Sequence, residues 1–137
     1  MWILYAVLSA VFAAVTAILA KLGLKDVDAN LATAIRTVVV LVMSWLIVWV
    51  SGTAGGIPHI TQKSWIFLIL SGAATGLSWL FYFRALQIGH ASQVIPIDKF
   101  SLVIGVVLAF VILRETVDIK TIVGGILITA GTFVMIL

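Results

Sequence analysis

Charged side chains interrupt two apolar runs of the sequence. Asp98 and Lys99 lie in the run over residues 93–113, and Arg36 lies in the run over residues 31–51. A carboxylate at the centre of a bilayer costs about 2.5–3.5 kcal/mol even on the most lenient insertion scale, so Asp98 is expected to face a cation, water or other helices. The longer side chains of Arg36 and Lys99 can alternatively extend to the membrane interface. The pattern predicts a polar vestibule inside an otherwise apolar protein.

The remaining polar residues do not form a catalytic or metal-binding constellation. His59 and His90 have no second ligand at metal-binding spacing, and the glycine-rich segment GTAGG lacks the Lys-Ser/Thr ending of a phosphate-binding loop. The chain has no cysteine, which excludes disulfides and thiolate chemistry. We therefore expect neither an enzyme nor a bound cofactor or metal, and an intramembrane enzyme is the least supported class of function.

The composition is that of a membrane protein. Hydrophobic residues make up 64% and charged residues 9% of the chain, whereas soluble domains are about 25% charged. The net charge of +3 is small and comes from scattered residues, so a nucleic-acid partner is not expected. The lipid bilayer is therefore the first predicted partner.

Five apolar segments have the length of roughly 20 residues that a helix needs to cross a bilayer. Their approximate ranges are 2–20, 31–51, 65–83, 93–113 and 121–137. Such runs indicate helices and not barrel strands, because backbone groups in lipid must bond within the segment. The first run has no preceding Lys or Arg and is too long for a secretory signal, so we expect it to remain as a span. The predicted fold is an all-α, polytopic bundle of five transmembrane helices in one domain, residues 1–137.

Five spans place the intramembrane charges near the same membrane surface. The loops at residues 21–30 and 84–92 and the C-terminus lie on one side of the membrane, which we call side B. The N-terminus and the other two loops lie on the opposite side, side A. At 1.5 Å per residue, Arg36 lies about 7.5 Å from Leu31 and Asp98 about 9 Å from Ser92, each measured along its helix from side B. We therefore predict that Arg36 approaches Asp98, with Lys21 or Lys99 as alternative partners of this carboxylate.

Small residues predict where helices pack closely. Alanines recur on one face of the first span, and glycines recur in the third and fifth spans. Such small-residue faces let membrane helices approach each other, although alanine and glycine are also simply common in these helices. The predicted packing positions among the glycines are Gly72, Gly76, Gly124, Gly125 and Gly131.

Aromatic residues divide into two groups by their position along the spans. Those near the predicted membrane edges are expected to act as interfacial anchors, and they are Trp2, Trp45, Trp49 and Trp65. Trp79 and Tyr82 lie inside the third span. We predict that they line a substrate cavity to which Arg36, Asp98 and Lys99 also contribute, with ordinary core packing as the alternative for Trp79.

Several short motifs occur in a recognisable order along the chain. They are AKLGL around Lys21, AIRT around Arg36, FRAL at residues 83–86, ASQVIPI at residues 91–97, Glu115 after the fourth span, and GGILITAG at residues 124–131. Each motif is loose alone, but their order and spacing resemble an EamA domain of the drug/metabolite transporter superfamily. The resemblance covers essentially the whole chain.

The resemblance implies a secondary transporter of small metabolites or drugs, often an exporter, in the plasma membrane of a prokaryote. Typical members contain two five-span domains that are inverted relative to each other, whereas this sequence has one. The resemblance therefore implies a dimer of inverted halves, formed with a second copy or with another half-transporter. A non-transporting assembly or regulatory subunit that pairs with another membrane chain is the alternative.

The distribution of basic residues bears on the orientation in the membrane. Lys and Arg near the span ends normally set that orientation. Three basic residues lie in side A loops and three in side B loops; they are Lys63, Arg114 and Lys120 against Lys21, Lys25 and Arg84. A chain with so little bias is predicted to insert in both orientations and to form an antiparallel homodimer. The intramembrane Arg36 and Lys99 tip the count to five against three in favour of side B. The alternative is therefore a single orientation, with side B cytoplasmic, and a separate partner chain.

Overall fold

The computed structural model describes residues 1–137, which form helices and no β-strand. The helices are α1 (Trp2–Gly23), α2 (Ala29–Val50), a short 3-10 helix (Thr53–His59), α3 (Gln62–Ile88), α4 (Ala91–Lys99), α5 (Ser101–Leu113) and α6 (Ile119–Ile136). Five helical segments are long and apolar enough to cross a membrane, with α4 and α5 together forming the fourth. The prediction of an all-α protein with five spans is confirmed.

Helix α3 is longer than the apolar run that predicted the third span. That run ends near residue 83, whereas α3 continues to Ile88. The added residues include Arg84, Ala85, Leu86 and Gln87, which all have high helix propensity, so the helix continues after the strongly apolar stretch has ended. Apolarity predicts the stretch that contacts lipid, whereas helix propensity sets where the helix ends, so the two ranges differ.

The fourth span is interrupted, whereas the sequence predicted one continuous helix. Helix α4 ends at Lys99, and α5 begins at Ser101. The Phe100 amide donates to the Ile97 carbonyl at 3.0 Å, a spacing of three residues instead of the four of an α-helix. Asp98 and Ser101 flank the interruption, and both residue types have low propensity for the interior of a helix. Pro96 lies one turn before it and is buried.

Contacts divide the chain into two compact units, which we call unit 1 (residues 1–18 and 88–137) and unit 2 (residues 19–87). In unit 2 the buried residues are Leu24, Ala29, Thr33, Phe83 and Leu86. Two long-range hydrogen bonds join the end of α3 to the start of this unit. Lys21 Nζ donates to the Leu86 carbonyl, and Gln87 Nε2 donates to the Val27 carbonyl at 2.8 Å. The side B end of unit 2 is therefore its most densely packed part.

Helix ends in both units are closed by specific interactions. The Asp28 carboxylate caps α2 by accepting from the Asn30 amide at 2.9 Å and the Leu31 amide at 3.4 Å. Helix α5 ends at Arg114, which adopts a left-handed conformation with φ 56°. The Glu115 amide then donates to the Ala109 carbonyl at 3.3 Å, a six-residue bond typical of a helix C-terminus. Glu115 thus lies directly after the fourth span, as expected.

Most large apolar side chains lie on the outside of the helices, where they would contact lipid in a membrane. In unit 1, α6 packs against both α4 and α5. The five glycines that were predicted as packing positions have open space beside their Cα atoms. Their packing role therefore stays a prediction.

Candidate functional site

Arg36 in unit 2 lies against two aromatic rings of α3. Its guanidinium carbon is 4.5 Å from the centre of the Phe83 ring and 5.2 Å from the centre of the Trp79 ring. Both distances fall within the range of cation–π attraction, which is worth about 0.5–2 kcal/mol per pair depending on exposure to water. The structure therefore brings together two of the predicted cavity residues, Arg36 and Trp79, and adds Phe83.

The helix period explains why α3 presents these rings together. Residues three and four apart share one face of a helix, so Trp79, Tyr82 and Phe83 are neighbours. The Tyr82 and Phe83 rings are tilted by 59° with their centres 5.6 Å apart. Phe83 is 1% exposed, whereas Arg36, Trp79 and Tyr82 are half-buried. Burial holds the Phe83 ring in place, and that ring in turn positions the guanidinium.

No carboxylate of unit 2 neutralises Arg36. The acidic residues of this unit are Asp26 and Asp28, and neither forms an ion pair with it. The Asp28 side chain instead caps α2. Ring faces attract the positive charge but supply no in-plane acceptor, so the guanidinium keeps several N–H donors for other groups. An intramembrane charge without a neutralising carboxylate in its unit is a candidate for a functional site.

Lys21, a predicted alternative partner of Asp98, has a structural contact inside unit 2. Its ammonium donates to the carbonyl of Leu86, near the C-terminal end of α3. The last carbonyls of a helix lack intrahelical partners, and a lysine satisfies them well. Lys21, which belongs to the AKLGL motif, therefore joins α1 to α3 through this hydrogen bond.

Asp98 and Lys99 form an ion pair in unit 1, with 3.5 Å between the carboxylate and the ammonium. Adjacent residues of a regular helix point in different directions, but this pair lies where α4 ends. The structure thus supports Lys99 as a partner of Asp98, which was one of the predicted alternatives. The predicted approach of Arg36 to Asp98 joins residues of different units and stays a prediction.

Sequence reasoning missed two residues of these polar regions. Phe83 lies one turn after Trp79 and was expected to share its helix face, but its contact with Arg36 was not predicted. Ser101 and Thr132 were not singled out. Both line a cavity together with Asp98, and nothing in the local sequence around Thr132 indicates that it lies beside the end of α4.

Comparison with known proteins identifies the family of this chain. The sequence pattern of the EamA-like transporter family matches residues 1–137. A protein of Sinorhizobium sp, described as an uncharacterized transporter in the cobO 3' region, is 42% identical over 134 residues, which cover 98% of this chain and 95% of that protein. No solved structure matches the chain. The chain belongs to the EamA-like transporter family and is an integral, multi-pass membrane transporter.

Proposed function

We propose that the protein is a secondary transporter that exports small metabolites or drugs, with Arg36, Trp79 and Tyr82 contacting the substrate. The observation that carries this proposal is the guanidinium of Arg36 held against the Trp79 and Phe83 rings without a carboxylate partner in its unit. Small-molecule sites usually combine apolar and aromatic walls with a few polar groups that fix orientation. A guanidinium beside three aromatic residues has this composition.

The proposed substrate contacts follow from the chemistry of the two kinds of side chain. The guanidinium can donate in a fork to a carboxylate, phosphate or carbonyl oxygen of a metabolite. The Trp79 and Tyr82 rings supply apolar surface for the rest of the molecule. Asp98 and Lys99, which form a pair in unit 1, are proposed to contribute further polar groups to the transport path.

The direct test is transport by purified protein in liposomes across a panel of metabolites. We expect at least one compound to accumulate in the liposomes or to be released from them. This transport should depend on Arg36. If no compound moves while the protein copurifies with another membrane chain, the alternative of a non-transporting assembly or regulatory subunit is favoured instead.

We further propose that the working unit is a dimer of two inverted copies. Many secondary transporters place their substrate between two repeats that are inverted in the membrane, and each repeat supplies half of the site. This chain contains five spans, and the matched relative is of nearly the same length, since the alignment covers 95% of it. The open space at the glycines of α3 and α6 offers close-packing surfaces for the second copy.

Dual insertion has a measurable consequence. A cysteine introduced as Thr116→Cys lies between α5 and α6 and is unique, because the chain has no cysteine of its own. We expect a membrane-impermeant thiol reagent to label about half of the molecules in intact cells, since the basic residues balance across the membrane. Permeabilised cells, in which all molecules should react, provide the reference.

The variant Asp26→Cys, between α1 and α2, is the matched control on the opposite membrane side. Dual insertion predicts that about half of these molecules react as well. Complete labelling of one variant and none of the other would exclude the antiparallel homodimer. The separate partner chain would then be the remaining proposal.

Trp79 provides a test of the substrate contact. Trp79→Leu is expected to reduce transport about 2- to 30-fold, which corresponds to the loss of a cation–π interaction of about 0.5–2 kcal/mol. The folded yield should not change, because Trp79 is only half-buried. Trp65→Leu is the control, since Trp65 is near the start of α3 and 44% exposed. Equal loss of yield and transport in Trp79→Leu would identify packing as its role.

A further inference from the structure

Three charged side chains lie about 10 Å or more inside the membrane spans, at 1.5 Å per residue. Arg36 is the eighth residue of α2, and Asp98 and Lys99 are the eighth and ninth residues of the fourth span. The other charged residues of the spans lie within four residues of a span end. Asp98 and Lys99 form an ion pair at 3.5 Å in unit 1. Arg36 is therefore the deep charge that no opposite charge of its own unit balances.

The surroundings of Arg36 in unit 2 attract a cation but do not neutralise it. The Phe83 and Trp79 rings lie 4.5 and 5.2 Å from the guanidinium carbon, and aromatic rings carry a quadrupole but no net charge. Asp26 and Asp28, the acidic residues of unit 2, are both exposed near the turn between α1 and α2. Charged residues in membrane spans usually pair with an opposite charge. The region around Arg36 thus lacks one negative charge, which a ligand can supply.

The two hydroxyls of α2 that lie within one turn of Arg36 are used by the helix itself. Thr33 Oγ1 donates to the Ala29 carbonyl, and Thr37 Oγ1 donates to the Thr33 carbonyl, both at 2.8 Å. A hydroxyl has a single hydrogen, so neither can donate to a ligand as well. In this part of α2, the side-chain donors left for an anion are those of the Arg36 guanidinium. Its planar fork matches the two oxygens of a carboxylate.

We propose that the transported substrate is an apolar monocarboxylate, with its carboxylate on the Arg36 guanidinium and its apolar body against the Trp79 and Tyr82 rings. One carboxylate balances one guanidinium. A phosphate ester carries a charge of about −1.5 to −2 at neutral pH, which would leave negative charge in the membrane without a partner. The ammonium of an amino acid would find no carboxylate beside Arg36 in unit 2. This substrate class rests on the proposed function, in which Arg36 contacts the substrate.

The substrate class can be tested with compounds that share a phenyl body and differ in charge. They are 3-phenylpropionate, its neutral amide, L-phenylalanine, which adds an ammonium, and 2-phenylethyl phosphate, which adds negative charge. Equilibrium dialysis of the purified protein in detergent measures the Kd of each compound. Detergent without protein corrects for partition into micelles.

We expect the carboxylate to bind about 10- to 150-fold more tightly than the amide, because a hydrogen bond to a charged group contributes about this factor. L-phenylalanine and 2-phenylethyl phosphate should each bind about 10-fold more weakly than the carboxylate, since their additional charge has no partner in the membrane.

Variants of Arg36 show whether this preference comes from the guanidinium. In Arg36→Gln, the Kd of the carboxylate should rise to about that of the amide, whereas the Kd of the amide should change by less than about twofold. Arg36→Lys keeps the charge without the planar fork and should retain part of the preference. Arg84→Gln is the matched control and should keep the whole preference, because Arg84 is exposed and bonds to Gln87. If Arg36→Gln does not fold, Arg36→Lys and the wild-type series decide the question.

The results separate this inference from the proposed function. An Arg36-dependent preference for 3-phenylpropionate supports the carboxylate site even if the liposomes transport no compound. Tighter binding of any of the other three compounds, no binding of all four, or a preference that persists in Arg36→Gln overturns it. Arg36-dependent transport of a neutral, zwitterionic or phosphorylated compound would refute the monocarboxylate and leave the proposed function intact.

Discussion

Arg36→Gln is expected to lower kcat/KM for transport about 10- to 150-fold. Hydrogen bonds to a charged group contribute about 1.5–3 kcal/mol, and each 1.4 kcal/mol corresponds to a factor of ten. In the proposed site, the substrate oxygen loses a charged donor and the Trp79 and Phe83 rings lose the cation that lies 5.2 and 4.5 Å from their centres. The measurement is initial transport in liposomes, with a substrate identified from the metabolite panel.

Two further variants separate the causes of this effect. Arg84→Gln removes the same charge from an exposed residue that bonds to Gln87 at 3.1 Å, and it should leave transport within about twofold, since surface interactions of this kind are weak. Arg36→Lys keeps the charge but loses the planar fork, so its activity should fall between the wild type and Arg36→Gln. Transport by Arg36→Gln that equals that of Arg84→Gln would refute the substrate contact and leave interfacial snorkelling as the role of Arg36.

Leu86→Ala is expected to lower the free energy of unfolding by about 2–5 kcal/mol, the usual cost of truncating a fully packed leucine. Leu86 is 0% exposed in unit 2. Its carbonyl also accepts from Lys21, and the next residue bonds to Val27. A cavity at this position would loosen the contact between the end of α3 and the turn after α1. Equilibrium unfolding in detergent measures the change.

Leu77→Ala is the matched control for this stability prediction. Leu77 belongs to the same helix but is 56% exposed, so its side chain contacts lipid or detergent in the folded protein. Truncation there leaves no protein cavity, and the expected loss is below about 1 kcal/mol. If both variants lose the same stability, the dense packing assigned to the side B end of unit 2 is incorrect.

The number of membrane spans and their helical structure could be predicted because each segment has to meet the demands of the bilayer by itself. Each helix needs about 20 apolar residues to cross the bilayer, and its backbone N–H and C=O groups form hydrogen bonds within the helix. Five such segments are present in the sequence, and five are present in the structure. The helix ends differ from the ends of the apolar runs, since α3 continues to Ile88 through Arg84 and Gln87, which are polar but have high helix propensity.

The identity of the charged residues was likewise evident from the sequence. Arg36, Asp98 and Lys99 are conspicuous because an ionised group in lipid is costly wherever its helix packs. Their partners were harder to predict. The contact of Arg36 with Phe83 depends on the rotation of α2 and α3 about their axes, and many rotations are compatible with helices that are apolar on all sides.

The sequence alone therefore determined the membrane environment, the helical class, the five spans and the presence of intramembrane charges, because each depends on the chemistry of one segment at a time. Tertiary structure decided the aromatic partners of Arg36 and the position of Thr132 beside the end of α4. These features depend on how helices rotate and pack, and in lipid no difference in hydrophobicity between faces specifies that rotation.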